Sequence, residues 1–415
     1  MEVLLVAFHY PPEISGGIPR ALITERWFVQ NGCRVRVLTP QPAERGCRGG
    51  EILHVPLPGV LATPPVDDDG SPRTRSNPLR AFARKFVFTP DGFVLWARRA
   101  LRRALESAAE RPIDLVVTSS PPESMHGIGR ALSRRLGCRW LADFRDGWTF
   151  EPHRPDANLP VRRHVERWME ARVVRSADIV ATATRPIADD LRTRYPARAD
   201  SIHFLPSGFE PFEGVATVPT DRFELVYTGR MNLSRGTDTP AVFFQGLERA
   251  VAQDPAFARA TRLTLIGQYT HAERALWQNS PLVESVAELG PMPYDEAVAR
   301  SASATMLVLL TPSGQKSIAT RKLFDYLAVR RPIFALAEGN EAARILTETR
   351  AGTCVPPTDP DAVAAALLHA FALWRDGKLD AHIPCDRSQA YEATYLFDVT
   401  LRERLIGFER GAASS

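Results

Sequence analysis

Two arginines bracket a short turn in residues 227–236, Tyr-Thr-Gly-Arg-Met-Asn-Leu-Ser-Arg-Gly. Arg230 and Arg235 stand where an apolar run stops at Gly229 and a helical pattern begins near Pro240. Guanidinium groups clamp phosphate bidentately, and a helix N-terminus offers unpaired N–H groups, so the pair suits a diphosphate. The same spacing also fits two solvated surface arginines. A second cluster lies in residues 318–337, where Lys322 and Asp325 share one predicted helix face just after a loop. Asp325 could accept from a ribose hydroxyl and Lys322 could meet a phosphate; an ordinary helix ion pair is the alternative. A third stretch, residues 9–20, reads His-Tyr-Pro-Pro-Glu-Ile-Ser-Gly-Gly-Ile-Pro-Arg. Pro11 and Pro12 are rigid, Glu13 is acidic, and Gly16 and Gly17 are free of Cβ, a combination suited to a backbone that approaches a ligand closely.

The surrounding elements must position these groups. Residues 2–8 form a short, continuous apolar run, which predicts a fully buried parallel strand. Residues 21–32 have helical spacing and end at Gly32, and residues 33–40 read as the next strand. This β-loop-α-β order opens a Rossmann-like unit. Residues 62–78 are turn formers and charges and read as a loop, and the alternation resumes at residue 114 and runs to about 209. Residues 214–222 read as a linker; a new strand, 223–231, then starts a second series of strands, 283–290 among them, and helices that ends near residue 377. The tail, 387–411, has helical spacing with no strand after it. The expectation is an α/β protein of two Rossmann-like domains with a cleft between the carboxyl ends of their sheets. Residues 1–212 form the first domain, 213–385 the second, and 386–415 a helix returning to the first. Neither a Gly-x-Gly-x-x-Gly fingerprint nor a P-loop is present.

The chain has 415 residues, 44% hydrophobic and 24% charged, and a formal net charge of +4. That length suits two or three domains, and the charge fits an anionic ligand or surface without arguing for nucleic acid. The five cysteines, Cys33, Cys47, Cys138, Cys354 and Cys385, form no Cys-x-x-Cys pair and read as reduced thiols. Glu2 and the early prolines leave no room for a signal-peptide core, and no apolar run approaches the roughly 20 residues of a membrane span. The expected location is cytoplasmic.

Seven stretches, in order and nearly end to end, resemble the family 4 glycosyltransferases of the GT-B fold. They are HYPPEISGG (9–17), SSPPESMHGIG (119–129), WLADFRDGW (140–148), FLPSGFE (204–210), YTGRMNLSRG (227–236), LTLIG (263–267) and RKLFDYLAVRRPI (321–333). Their combination is similar to the bacterial enzymes that build exopolysaccharide, capsule or O-antigen. The resemblance implies a retaining transferase with a nucleotide-diphosphate sugar, UDP- or GDP-linked, as donor, and with no metal or other cofactor required. It implies that Gly16, Gly17 and Glu13 lie under the donor and that Arg230 and Arg235 hold the diphosphate beside Gly229. Lys322 would assist them, and Asp325 would bind the ribose. His126 would be a donor-site polar group. Asp143, Arg145 and Asp146 would face sugar or acceptor, with a buried salt bridge inside this stretch as the rival. The family's Glu-x7-Glu pair is broken: eight residues before Asp325 stands Ser317. Sugar contacts would then fall to backbone N–H groups near Gly314 to Ser317.

The implied partner is a lipid-linked or oligosaccharide acceptor. Residues 79–105 carry seven basic residues and five large aromatics around one acid, Asp91, and suit an anionic membrane surface. Two helices packed on the first domain with arginines outward are the alternative. The other readings are a GT-B sugar-nucleotide epimerase or hydrolase, a small-molecule glycosyltransferase, and a catalytically silent relative.

Overall fold

The computed structural model describes residues 1–13, 16–42, 46–58, 89–152, 160–212, 221–231 and 238–406. Arg235, the linker 214–220 and residues 62–88 lie outside them. The chain divides into two compact units: Met1–Ser207 with Leu396–Ser415, and Gly208–Tyr395.

The first unit alternates β1 (Glu2–Val6), α1 (Ile18–Gln30), β2 (Arg34–Thr39), β3 (Glu51–His54), α2 (Val94–Glu110), β4 (Leu115–Ser120), α3 (Ser124–Leu136), β5 (Arg139–Phe144), α4 (Pro160–Ser176), β6 (Ile179–Thr182), α5 (Arg185–Arg194) and β7 (Ile202–Phe204). All its strands are parallel, in the order β3-β2-β1-β4-β5-β6-β7. β1 is buried on both faces, as its unbroken apolar run requires. α1 starts with Pro19 in its first turn, and α3 stops at Gly137, whose φ of +68° favours glycine. Trp96, Trp140, Phe144 and Met125 meet in the core between sheet and helices.

α2 settles the described part of the basic, aromatic segment. Trp96 is fully buried, its Nε1 donating to the Val55 carbonyl at 2.7 Å, and Phe93 packs on Phe8. These aromatics therefore face the core, not a membrane, while Arg98 and Arg99 are exposed. Among the described residues no helix is long and apolar enough to cross a membrane.

The second unit runs β8 (Phe223–Thr228), α6 (Thr239–Gln253), α7 (Pro255–Ala260), β9 (Thr261–Ile266), α8 (His271–Gln278), β10 (Val286–Gly290), α9 (Tyr294–Ala302), β11 (Met306–Leu310), α10 (Arg321–Val329), β12 (Ile333–Leu336), α11 (Glu341–Thr349), β13 (Gly352–Val355) and α12 (Pro360–Arg375). Its sheet is parallel too, in the order β10-β9-β8-β11-β12-β13. Residues 283–290 were expected to be one strand, but Pro281–Glu284 form a 3-10 turn capped by the Ser280 hydroxyl, and the strand starts at Val286. The tail is not one helix. It passes from a short α-helix, Ala393–Phe397, into wider π turns, Asp398–Ile406. The change falls where Phe397 packs on Trp27 and Asp398 accepts from Trp27 Nε1 at 2.8 Å.

In both sheets the strand order reverses once, between β1 and β4 and between β8 and β11. A crevice opens at such a reversal, beyond the carboxyl ends of the strands, and it is where open α/β sheets bind ligands. Beside the first reversal a buried ion pair ties the unit together. Arg20 Nη2 and Nε meet both carboxylate oxygens of Asp143 at 2.6 and 3.0 Å, while Nη1 donates to the Pro206 carbonyl at 2.8 Å. The guanidinium also lies 5.3 Å from the centre of the Phe397 ring. One side chain thus joins α1, β5, the segment after β7 and the C-terminal tail. Removing one partner of a buried pair strands the other charge, which costs about 3–5 kcal/mol. Arg20→Met is expected to lose that much stability in urea unfolding near neutral pH. The deficit should narrow as pH falls from neutral, because burial raises the carboxyl left without Arg20 and the variant's Asp143 takes up a proton before the wild type's does.

Candidate active site

In the first unit the loops after β1, β4 and β5 gather around the reversal. His9 Nδ1 lies 3.0 Å from Glu13 Oε1, and Gln41 Nε2 donates to Glu13 Oε2 at 3.1 Å. Arg145 Nε donates to the Ser120 carbonyl at 3.1 Å, and Nη2 bonds the Pro121 carbonyl. The two glycines then differ. Around Gly16 a Cβ would meet nothing within 4 Å, whereas at Gly17 it would lie 2.0 Å from Arg145 Nη1. The expectation that both glycines make room for ligand backbone contacts is therefore corrected: Gly17 makes room for Arg145. Burial lowers the pKa of both His9 and Arg145. At His9 the Glu13 carboxylate opposes that shift and the Arg145 charge adds to it.

Asp143 faces neither sugar nor acceptor. It is buried against Arg20 and accepts from the Ser119 hydroxyl at 2.9 Å. Burial pushes its carboxyl up, but Arg20 and Ser119 outweigh that and hold it below its ordinary range. The rival expectation, a salt bridge inside residues 143–146, also fails, because the cation comes from α1. Asp146 is half-buried at the end of the same strand, and its charge favours the Arg145 cation. His126 is corrected as well. Its imidazole is fully enclosed, 4.6 Å from the Phe144 ring, with Nδ1 2.9 Å from Thr118 Oγ1. No surface is left for a donor to touch.

In the second unit the loops after β8, β9 and β11 converge. Gly229 has φ +82°, and its N–H donates to the Ile266 carbonyl at 2.7 Å. Gly267 runs so close that a Cβ there would sit 2.9 Å from the Gly229 carbonyl oxygen. Arg230 extends from this turn, exposed and with no carboxylate partner among the described residues; its carbonyl accepts from Tyr227. Lys322, in the first turn of α10, places its ammonium 3.5 Å from the centre of the Tyr227 ring and beside Gly229. It has no ion pair among the described residues, and burial pushes its pKa well below the ordinary lysine value. The expected alternative of a Lys322–Asp325 bridge is therefore wrong: Asp325 is held by Arg321 Nε at 2.7 Å and by the Tyr294 hydroxyl at 2.7 Å. Both bonds fall on Oδ1, and Oδ2 takes none from a described residue. Burial raises the Asp325 pKa, with Arg321 and Tyr294 opposing. Ser317 sits half-buried in the loop before α10, where Lys316 and Ile318 carbonyls accept from Glu341 and Ala342. Neither Arg321 nor Tyr294 was singled out from sequence. Arg321 could have been, since it stands four residues before Asp325 on the same helix face. Among the described residues no cluster of three ligating side chains suits a metal ion.

The second unit thus brings together the exposed Arg230, the Lys322 ammonium, the N-terminus of α10 and the Gly229 turn, with the Asp325 carboxylate one turn along the helix. Residues 15–208, by comparison, match the family model described as a glycosyl transferase 4-like domain. The first unit thus carries a glycosyl transferase 4-like domain. No curated protein matches the chain. Its fold is similar to a glycosyltransferase from Rickettsia africae, with TM-score 0.67 at 13% identity over 100% of this chain and 99% of that one. It is similar too to sucrose-phosphate synthase from Thermosynechococcus elongatus, with TM-score 0.65 at 18% identity over the whole of both chains. HepE of Anabaena in complex with UDP gives TM-score 0.62 at 13% identity, over 98% of this chain and 100% of that one.

Two outcomes are expected of this protein. Lys322→Met replaces an unpaired, desolvated cation with an apolar chain of similar length, so the thermal midpoint should rise or hold while stabilisation by nucleoside diphosphates disappears. His126 is pushed down to about 3 by burial, so the folded enzyme keeps it neutral while the unfolded chain protonates near 6.5. Its stabilising share is complete above pH 6.5 and is lost as pH falls toward 3. In urea unfolding at stepped pH, His126→Phe should flatten the decline between pH 6 and 4 by up to about 1.4 kcal/mol per pH unit. His203, lowered to about 4 by burial and by Arg404 and Arg192, keeps part of that decline in the variant.

Proposed function

We propose that the enzyme transfers a sugar, with retention, from a UDP-sugar to a lipid-linked or polysaccharide acceptor, without a metal. The observation that carries this reading is Lys322: a desolvated ammonium beside the Gly229 turn and the α10 N-terminus, with no counter-ion among the described residues. Such a charge is costly to keep unless a ligand anion completes it. A diphosphate is the anion of the right size, with Arg230 closing on its far oxygens and Arg235, five positions on in sequence, as the second guanidinium of the pair. Asp325 Oδ2 accepts a ribose hydroxyl, held in aim by Arg321 and Tyr294. UDP is favoured over GDP because similarly folded HepE forms complexes with UDP and with UDP-glucose.

The chemistry asks little more of the chain. The bond from the anomeric carbon to the diphosphate oxygen breaks. The acceptor hydroxyl oxygen bonds to the same face of that carbon, and its proton passes to the departing diphosphate. Charge grows on the diphosphate as this happens, and Arg230, Arg235 and Lys322 are the groups that stabilise it. The loop 314–317 supplies backbone N–H groups to the sugar in place of the acid absent at Ser317. His9, with Glu13, stands at the strand reversal of the first unit and is the chain's polar group for the sugar or the acceptor hydroxyl.

The test is a thermal-shift series with UDP, GDP, ADP and CMP, followed by UDP-glucose turnover. UDP should raise the unfolding midpoint selectively. Arg230→Ala should weaken UDP by at least ~2 kcal/mol, roughly 30-fold, the worth of a charged hydrogen bond. Unchanged affinity in the folded variant, or no shift with any nucleotide, would overturn the diphosphate assignment.

A further inference from the structure

Three helices of the first unit, α2, α3 and α4, line a half-open cavity of about 360 Å3. Val94 and Leu101 of α2, Ile128 of α3, Met169 and Val173 of α4, and Trp148 beyond β5 give it apolar walls. Each helix also adds one arginine: Arg98, Arg130 and Arg172. None of the three has a carboxylate partner among the described residues. The acid of the lining, Glu123, has bonds of its own. Arg172 rests on the Trp168 indole, 4.3 Å from the ring.

Two donors of the lining are buried without an acceptor: Arg130 Nε and Trp148 Nε1. Trp148 is only 3% exposed. Buried N–H groups in folded proteins nearly always find a partner, so an orphaned indole and guanidinium in one cavity call for an acceptor from outside the described residues. Outside the cavity, Val161, Val165 and Trp168 recur at spacings of four and three along α4 and are 80%, 42% and 58% exposed. They form one uncovered apolar face that ends on a residue of the cavity lining.

An apolar cavity lined with unpaired cations and orphaned donors has one simple complement: a hydrocarbon chain that ends in an anion rich in acceptor oxygens. We infer that this cavity binds a single-chain alkyl or isoprenyl phosphate, with the chain between the three helices and the phosphate on Arg98, Arg130, Arg172 and Trp148 Nε1. As a seat for the lipid of an acceptor it rests on the transferase reading above; as an amphiphile site it stands without it. The volume lies within the 300–1,000 Å3 common for small-ligand pockets. Burial and the neighbouring Arg172 and Arg134 charges lower the Arg130 pKa, a like-charge repulsion inside the empty lining. A phosphate relieves that repulsion.

The experiment is calorimetric titration of the full chain with decyl phosphate below its micelle concentration, with inorganic phosphate and 1-decanol as separate arms. Tryptophan fluorescence serves as a second readout, since Trp148 and Trp168 line the cavity. Decyl phosphate should bind at least tenfold more tightly than either arm. Ala131→Trp, which fills the cavity, and the double variant Arg98→Glu with Arg172→Glu, which reverses the cations, should each weaken it at least tenfold. UDP stabilisation in the same variants reports that they fold. Loss of the UDP shift in the wild type would instead strike at the transferase reading and leave this one standing. Equal binding of inorganic phosphate and decyl phosphate, unaltered affinity in both variants, or binding only to anionic vesicles would overturn the assignment.

Discussion

The first unit depends on one buried cation. Arg20 sits in the opening turns of α1, yet its guanidinium is spent on Asp143 at the end of β5, on the Pro206 carbonyl and on the face of Phe397. Each partner comes from a different part of the chain, so the pair forms only when β5, the segment after β7 and the tail are all in place. It sets the entry angle of α1 and, through it, the loop that carries His9, Glu13 and Gly17. Arg145 completes the same layer by filling the space beside Gly17. At this end of the sheet His9 and Glu13 stay half-buried while Asp143 is enclosed.

The second unit handles charge in the opposite way. Asp325 is fully engaged on one oxygen, while Lys322 is left with an aromatic face and no carboxylate among the described residues. A satisfied carboxylate is a positioned group; an unsatisfied, desolvated ammonium is a stored preference for an anion. The close backbone approach of Gly229 and Gly267 keeps that turn narrow beside the Lys322 ammonium. The helical pocket of the first unit repeats the logic with three arginines and an orphaned indole, but within apolar walls.

Most of the fold was legible because parallel strands buried on both faces leave continuous apolar runs. β1, β4, β5, β8, β11 and β12 are all such runs and lie at or beside the strand reversals. β3 and β13 escaped notice: both are short edge strands, and an edge strand needs no unbroken apolar face. Residues 283–290 misled because Pro281 and the Ser280 cap turn the chain before the strand can start. In the candidate site, the resemblance pointed to Lys322 and Asp325, which the fold places on the first turns of one helix, α10. It failed on Asp143 and His126, whose types are those of catalytic groups but whose surroundings are core.

The sequence by itself determined the two series of strands and helices, the glycine turns, and the residue types able to bind a diphosphate, because these follow from local periodicity and composition. Only the tertiary structure decided which charge meets which. Arg20 reaches Asp143 across 123 positions of sequence, Tyr294 reaches Asp325 across 31, and three arginines from three helices share one cavity. Pairing at that range depends on strand order and helix packing, and no spacing rule within a single element carries it.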